Sequence, residues 1–192
     1  TANNFVLLFD VTDTGNIYDS AARPNGWWCG PKGGYVDFTP SVTTEAATGV
    51  LNSTVGKITG ARRFGYQCVA YKLRSMYLGT YVGQPTIWDW QLIPGDAGAL
   101  AHEAIVDIGT PEQPVHIFMG VDNFYKFGGG RPVPIGNPIK DTVFAELNMQ
   151  YYYAACAQHD RVNSLVRFWY PVASSNKPDK CVVYNYRTDR WG

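Results

Sequence analysis

At 192 residues the chain is of single-domain length and long enough to bury a sizeable core. Its 16 Lys and Arg balance 16 Asp and Glu, which excludes an overall basic nucleic-acid binder while leaving local patches open. Charged residues make up 17%, below the roughly 25% usual in soluble domains, and aromatics reach 15%, so the chain hides much of its surface or hands it to a partner. No apolar run approaches the roughly 18 residues of a membrane span. Thr1-Ala2-Asn3-Asn4 offers neither an initiating Met nor a basic leader, and the chain starts and stops in mid-pattern, which reads as an ordered piece of a longer polypeptide.

In chain order, residues 5–10 form an apolar run ended by Thr12-Asp13-Thr14-Gly15, and Asn25-Gly26 is a strong turn dipeptide. Trp27-Trp28 precedes a Gly/Pro break at residues 30–34 and a short strand at 35–39, after which the small polar residues 41–49 read as a loop or one helical turn. Strands follow at 57–60, 68–73 and 75–82, with Arg62-Arg63 between the first two and a hairpin joining the last two. Gly83-Gln84-Pro85 turns the chain into a strand at 86–92 carrying Trp88 and Trp90.

Residues 96–103 read as a helical turn or loop before a strand at 104–108. Strands at 115–119 and 124–127 flank a tight turn at 120–123. Gly128-Gly129-Gly130 breaks the chain again, and residues 131–135 read as an edge strand because Pro132 and Pro134 cannot donate to a ladder. One helix is expected, over 141–150, with Asp141 as N-cap and Val143, Phe144 and Leu147 at helical spacing. Residues 151–158 could extend it, but three consecutive tyrosines favour a strand.

The last thirty residues hold two β-rich runs, 164–172 and 180–186, joined by a wide loop, then a polar reversal at 187–190 and Trp191 opening a further strand. Val166, Phe168 and Tyr170 alternate with Leu165, Arg167 and Trp169, and Val182, Tyr184 and Tyr186 with Cys181, Val183 and Asn185. Neither run alternates apolar with polar, as a strand with one wet face would, so the expectation is a small sheet packed between two others.

Repetition organises these strands. Tyr35-Val36-Asp37-Phe38 corresponds to Ile87-Trp88-Asp89-Trp90, and each is followed by a small-residue segment ending in Gly and another β run. With a period of about 45 to 60 residues, the units 1–56, 57–100, 101–140 and 141–192 fit an all-β, propeller-like array of four-stranded antiparallel meanders within one domain. A β-sandwich is the alternative, since regular turn spacing then needs no repeat. Trp88, Trp90, Phe168, Trp169, Tyr170, Tyr184, Tyr186 and Trp191 are the expected blade-packing residues.

Sites are sparse. Cys29, Cys68, Cys156 and Cys181 form no CxxC pair and read as reduced thiols in apolar surroundings, with a disulfide as the alternative; zinc ligation is not expected. Arg62 and Arg63, with Lys57, Lys72 and Arg74 nearby, form the densest basic cluster and could face DNA or a neighbouring subunit, or be a solvated hairpin end. His159-Asp160 reads as a turn, because no Ser or Cys sits in an activating motif such as GxSxG. Gly128-Gly129-Gly130 opens no helix and is no phosphate cradle. Asp89, Glu103, Asp107 and Asp122 could supply a glycosidase pair, but no spacing selects two of them. Asn52-Ser53-Thr54 matches a glycosylation acceptor in form.

Certain segments also carry a family resemblance. They are Val82-Gly83-Gln84-Pro85 followed by Trp88, Ile117-Phe118-Met119-Gly120 followed by Asn123-Phe124-Tyr125, and Arg131-Pro132-Val133-Pro134-Ile135-Gly136. Above all there is Phe168-Trp169-Tyr170-Pro171, with Pro178-Asp179-Lys180, Val183-Tyr184-Asn185-Tyr186 and Arg190-Trp191. Over roughly residues 24–192 the chain resembles the propeller region of short-tailed bacteriophage tail proteins, the tail nozzle or tail-tube (packaged-DNA-stabilisation) proteins that attach below the portal and adaptor.

The resemblance implies a non-enzymatic structural protein of the virion, assembled in the host cytoplasm, with no cofactor, metal or membrane span. It would form a homo-oligomeric ring, a hexamer, in the head-tail connector region, partnered by portal, adaptor and other tail proteins. Its channel would retain genomic DNA and pass it during ejection. High aromatic content with low charge suits extensive subunit contacts, and zero net charge suits a conduit, because a strongly basic lumen would grip each phosphate. The alternative of another class is a carbohydrate-binding or carbohydrate-active β-propeller, in which Trp and Tyr stack on sugars.

Overall fold

Among the described residues, every ladder joins strands that are consecutive in the sequence. In the computed structural model, which describes residues 1–12 and 21–192, β1 (Leu7–Thr12), β2 (Ala22–Cys29) and β3 (Ala47–Val50) form a first antiparallel sheet. The second contains β4 (Gly60–Phe64), β5 (Gln67–Tyr71), β6 (Met76–Gly83) and β7 (Ile87–Leu92). The third contains β8 (Ile105–Asp107), β9 (His116–Met119), β10 (Phe124–Phe127) and β11 (Val133–Pro134). The fourth contains β12 (Cys156–Asp160), β13 (Leu165–Tyr170), β14 (Lys180–Asn185) and β15 (Arg190–Trp191). The fold is all-β: four antiparallel meanders in sequence order, none of which closes into a barrel among the described residues. The only α-helix among those residues is α1 (Lys140–Glu146).

The chain divides into two compact units, Thr1–Ile93 and Pro94–Gly192, each holding two of the sheets. Within the first unit aromatic rings form the seam between sheets. Phe5 lies 5.1 Å from Tyr81 and 5.7 Å from Trp88, while Trp90 meets Phe9 at 5.7 Å and Trp27 at 5.6 Å between ring centres. Trp90 can lie flat on its own sheet because its β6 partner is Gly79, where a Cβ would come within 2.6 Å of the indole. Gly49 makes the same room beneath Trp27.

In the second unit Phe124 is the hub, with ring centres 4.8 Å from Phe168, 4.7 Å from Trp191 and 5.6 Å from Phe144 of α1. Trp191 also donates its indole N–H to the Ile135 carbonyl at 2.8 Å, so the short β15 is anchored by more than its ladder. Glu146 clasps the helix end to the fourth sheet. It accepts from the Tyr170 hydroxyl at 2.8 Å and from the Lys180 ammonium at 2.6 Å, and these bonds, Lys180's first, hold its carboxyl below the usual glutamate range.

Several local expectations are corrected. Asn25-Gly26 is not a turn but lies inside β2, where Pro24, Asn25 and Gly26 bulge opposite Asp10 and turn two carbonyls toward the Leu51 and Ile58 amides. Residues 35–39 are a loop, held by an Asp37 carboxylate that accepts from the Thr39 amide, so the correspondence of 35–38 with β7 fails. Instead β3 completes the first sheet, within the segment read as a loop or helical turn. The strand placed at 57–60 begins only at Gly60, which puts Arg62-Arg63 on β4 itself.

The helix ends at Glu146, and Asp141 is not its cap: Ile139 holds that position with no side-chain bond, and Asp141 lies in the first turn. It stops there because Leu147 bridges to Val172 and the Asn148 amide donates to the Pro171 carbonyl. The tyrosine run is a 3₁₀ turn over Tyr152–Ala154, and the strand starts at Cys156. His159-Asp160 is on β12, with Asp160 accepting from the Asn163 amide across the following turn. Asp13, Thr14 and Gly15, read as the end of the first run, lie outside the described residues.

The fourth sheet is covered on one face rather than two. Val166, Phe168, Tyr170 and Tyr184 are buried, whereas Leu165, Arg167, Cys181 and Val183 on the other face are half-buried and Trp169 is 40% exposed.

Gly79→Ala is expected to destabilise the protein by about 1–3 kcal/mol, since the indole cannot yield without opening the seam. Gly128→Ala, which meets open space, should change it by less than about 0.5 kcal/mol; denaturant midpoints compare the two. The Glu146 clasp should also show in a pH series. A carboxyl whose folded pKa is depressed stabilises the fold above its unfolded value and loses that contribution as pH falls. The stability gap between wild type and Glu146→Gln should therefore be constant near neutrality and shrink below the ordinary value of 4.5.

Candidate functional site

The basic cluster read from the sequence does not assemble into one patch. Arg62 and Arg63 are successive residues of β4, so their side chains leave opposite faces of the strand. Arg63 is exposed, with its Nε donating to the Gly65 carbonyl at 2.6 Å; Arg62 is half-buried, and Arg74 is exposed in the β5–β6 turn.

Lys72 is corrected outright as a contact for DNA or a neighbouring subunit: it is 1% exposed. Its ammonium donates at 2.6 Å to the Leu51 and Thr54 carbonyls and lies over the Tyr77 ring. Burial pulls its pKa below the ordinary lysine value, with Tyr77 opposing. The Thr54 hydroxyl meets Ser75 Oγ at 2.7 Å and Tyr77 Oη at 2.8 Å, so the loop after β3 is strapped to the β5–β6 hairpin by a closed polar network.

The aromatic residues divide by role. Trp88, Trp90, Phe168, Tyr184 and Trp191 stand in ring contacts within their units, and the Tyr170 hydroxyl serves the Glu146 clasp. Tyr186 hydrogen-bonds His159 at 3.0 Å, and burial and then Arg161 hold that imidazole below the usual histidine pKa. Trp169 alone of the set faces outward.

All four cysteines are free thiols. Burial raises Cys29 to about 11 and Cys68 to about 12, and also raises Cys156 and Cys181, so none is poised as a thiolate. No group of three His, Cys, Asp or Glu side chains among the described residues could hold a metal ion.

The four carboxylates considered for acid–base work are dispersed. Asp89 accepts from Gln91, Asp107 from the Gly109 amide and Asp122 from the Tyr125 hydroxyl at 2.8 Å, while Glu103 stands exposed beside His102. Of these, Asp122 borders a cleft of ≈ 650 Å³ along β11, where Asp96, Asn123, Arg131 and Lys140 also stand. Asn123 shapes that cleft: its side-chain carbonyl accepts from the Phe124 and Gly136 amides while its NH₂ donates to Asn137.

A second cleft, of ≈ 400 Å³, opens in the first unit and was not anticipated. Asn3, Asn4, Tyr35, Arg63 and Tyr66 line it, over a floor that includes Gly33 and Gly34. One signal was available. Gly65-Tyr66 is a two-residue turn between β4 and β5, where small polar residues usually stand, and a tyrosine there is 66% exposed.

The class defined by these features is an all-β protein of serial meanders with aromatic seams and open loop clefts. No protein-family model matches the chain, and no curated protein matches it.

Lys72→Met should cost about 1–3 kcal/mol, the usual penalty for leaving buried carbonyls without donors. A urea melt measures this, and amide exchange should accelerate first in the loop spanning residues 51–56.

Proposed function

We propose that this chain is a structural protein of a short-tailed bacteriophage tail, the propeller-like part of the nozzle or tube below the portal and adaptor. The observation that carries the reading is the outward face of the fourth sheet. Trp169 stands 40% exposed there between Cys156 and Cys181 on the flanking strands, with Leu165 and Val183 nearby and both half-buried. A face with that composition suits a lateral neighbour built like the sheets already paired within each unit, and Trp is enriched at such contacts.

Three further points support it. The meanders follow one another in sequence order, as propeller blades do. The balanced charge suits a passage that must not grip DNA. The motifs that resemble the tail proteins fall on structured elements: Phe168-Trp169-Tyr170 is the end of β13 and Val183-Tyr184-Asn185 the end of β14. In this role the copies form a ring, the seams keep each blade stiff, and packaged DNA is retained in and then passes through the channel.

Mass photometry of the full-length protein, alone and with its candidate adaptor, tests the reading. A ring or an adaptor complex is expected, and Trp169→Asp should weaken assembly by about 2–4 kcal/mol while leaving the melting temperature of the subunit unchanged. A strict monomer that ignores the adaptor overturns it.

A further inference from the structure

We propose that the cleft of the second unit, along β11, binds a phosphorylated sugar, with the phosphate monoester held by Arg131 and Lys140 and the ring hydroxyls met by Asp122 and Asn137. All four side chains line this one cleft, and its volume of ≈ 650 Å³ is within the range of ordinary ligand sites.

The cations come first. Among the described residues, neither the Arg131 guanidinium nor the Lys140 ammonium makes a hydrogen bond or an ion pair, although Lys140 is half-buried where α1 begins. The Arg131 side chain starts from a fixed base: it leads into the buried Pro132, and its Cγ and Nε lie 3.8 Å from where a Cβ on Gly95 would stand. A dianion accounts for both groups. The guanidinium fork pairs with phosphate through two parallel N–H bonds and the ammonium adds a point charge, whereas a carboxylate is satisfied by the fork alone.

The uncharged part of the ligand meets groups that the fold has already oriented. Asn123 is 6% exposed, and its side-chain carbonyl accepts from the Phe124 and Gly136 amides, so its NH₂ must face the Asn137 side-chain oxygen, 3.0 Å away. That leaves the Asn137 NH₂ as a donor. The Tyr125 hydroxyl donates to Asp122 Oδ1 at 2.8 Å, which leaves Oδ2 as an acceptor. An amide donor and a carboxylate acceptor in one cleft are what sugar hydroxyls, each both donor and acceptor, can satisfy. Gly136 permits this arrangement, since a Cβ there would come within 2.6 Å of Asn123 Oδ1 and 2.7 Å of the Phe124 ring. Pro132, Val133 and Pro134 add a stiff apolar wall for the C–H face of the ring.

A nucleic-acid strand is the poorer fit. Asp96 lines the cleft as well as Asp122, so one phosphate can sit at the two cations, but a chain of phosphates must also pass the two carboxylates.

The test titrates the full chain by calorimetry with glucose 6-phosphate and mannose 6-phosphate, and in parallel with glucose, inorganic phosphate and an oligo-dT. Saturable binding of a hexose phosphate is expected, tighter than that of glucose or inorganic phosphate. Arg131→Gln and Lys140→Gln should each weaken it by about tenfold or more, the usual cost of losing a charged partner. Asp122→Asn keeps the oxygen that Tyr125 holds and replaces the free acceptor with a donor; it should weaken the hexose phosphate several-fold without weakening inorganic phosphate. Arg131 is exposed and bonds to nothing in the fold, so an unchanged melting temperature for Arg131→Gln identifies its effect as a loss of binding. Absence of saturable hexose phosphate binding overturns the proposal. So does equal affinity for inorganic phosphate, binding that Arg131→Gln leaves intact, or a preference for oligo-dT. The outcome is separable from the tail reading, since a ring can form without binding a sugar phosphate and a monomer can bind one.

Discussion

Aromatic rings wedged between sheets are the interaction on which the rest of this structure depends. Phe124 joins Phe168, Trp191 and Phe144, and Trp90 joins Phe9 and Trp27; each such pair contributes about 0.5–1.5 kcal/mol beyond its buried area. A short meander alone is marginal in water, and strands of two to eight residues cannot hold a twisted sheet without a partner face. The seams supply that face. They also dictate where side chains must be missing, which is why Gly79 and Gly49 lie under indoles.

Once the sheets are paired, the connecting loops carry unpaired backbone that must be satisfied. Buried polar side chains do this at two places: Lys72 serves the carbonyls of the loop after β3, and Asn123 serves two amides near the turn into β11. The half-buried Glu146 instead ties the end of α1 to β13 and β14 through their side chains. Asn123 is also part of the wall of the second-unit cleft, whereas Lys72 does not line the cleft of the first unit.

Two surfaces outside these seams differ in character. The outer face of the fourth sheet carries the 40% exposed Trp169 among half-buried Leu165, Arg167, Cys181 and Val183. The cleft beside Tyr35 and Tyr66 is concave and is also lined by Asn3, Asn4 and Arg63.

The all-β class and several strand pairings were legible in the sequence, because alternation along a strand and Gly/Pro punctuation between strands are local signals. The hairpin of β5 with β6, the edge strand β11 and the hairpin of β13 with β14 all follow from such signals. What misled was chemistry that tertiary contacts override: Asn25-Gly26 reads as a turn, but β1 and the Leu51 and Ile58 amides hold it in a bulged strand. Lys72 reads as a surface cation, but carbonyls some twenty residues earlier enclose it. The cleft was illegible for the same reason. Asn3, Tyr35 and Tyr66 lie far apart in the chain, and only the pairing of sheets, an outcome of long-range ring contacts and not of any local pattern, brings them to one wall.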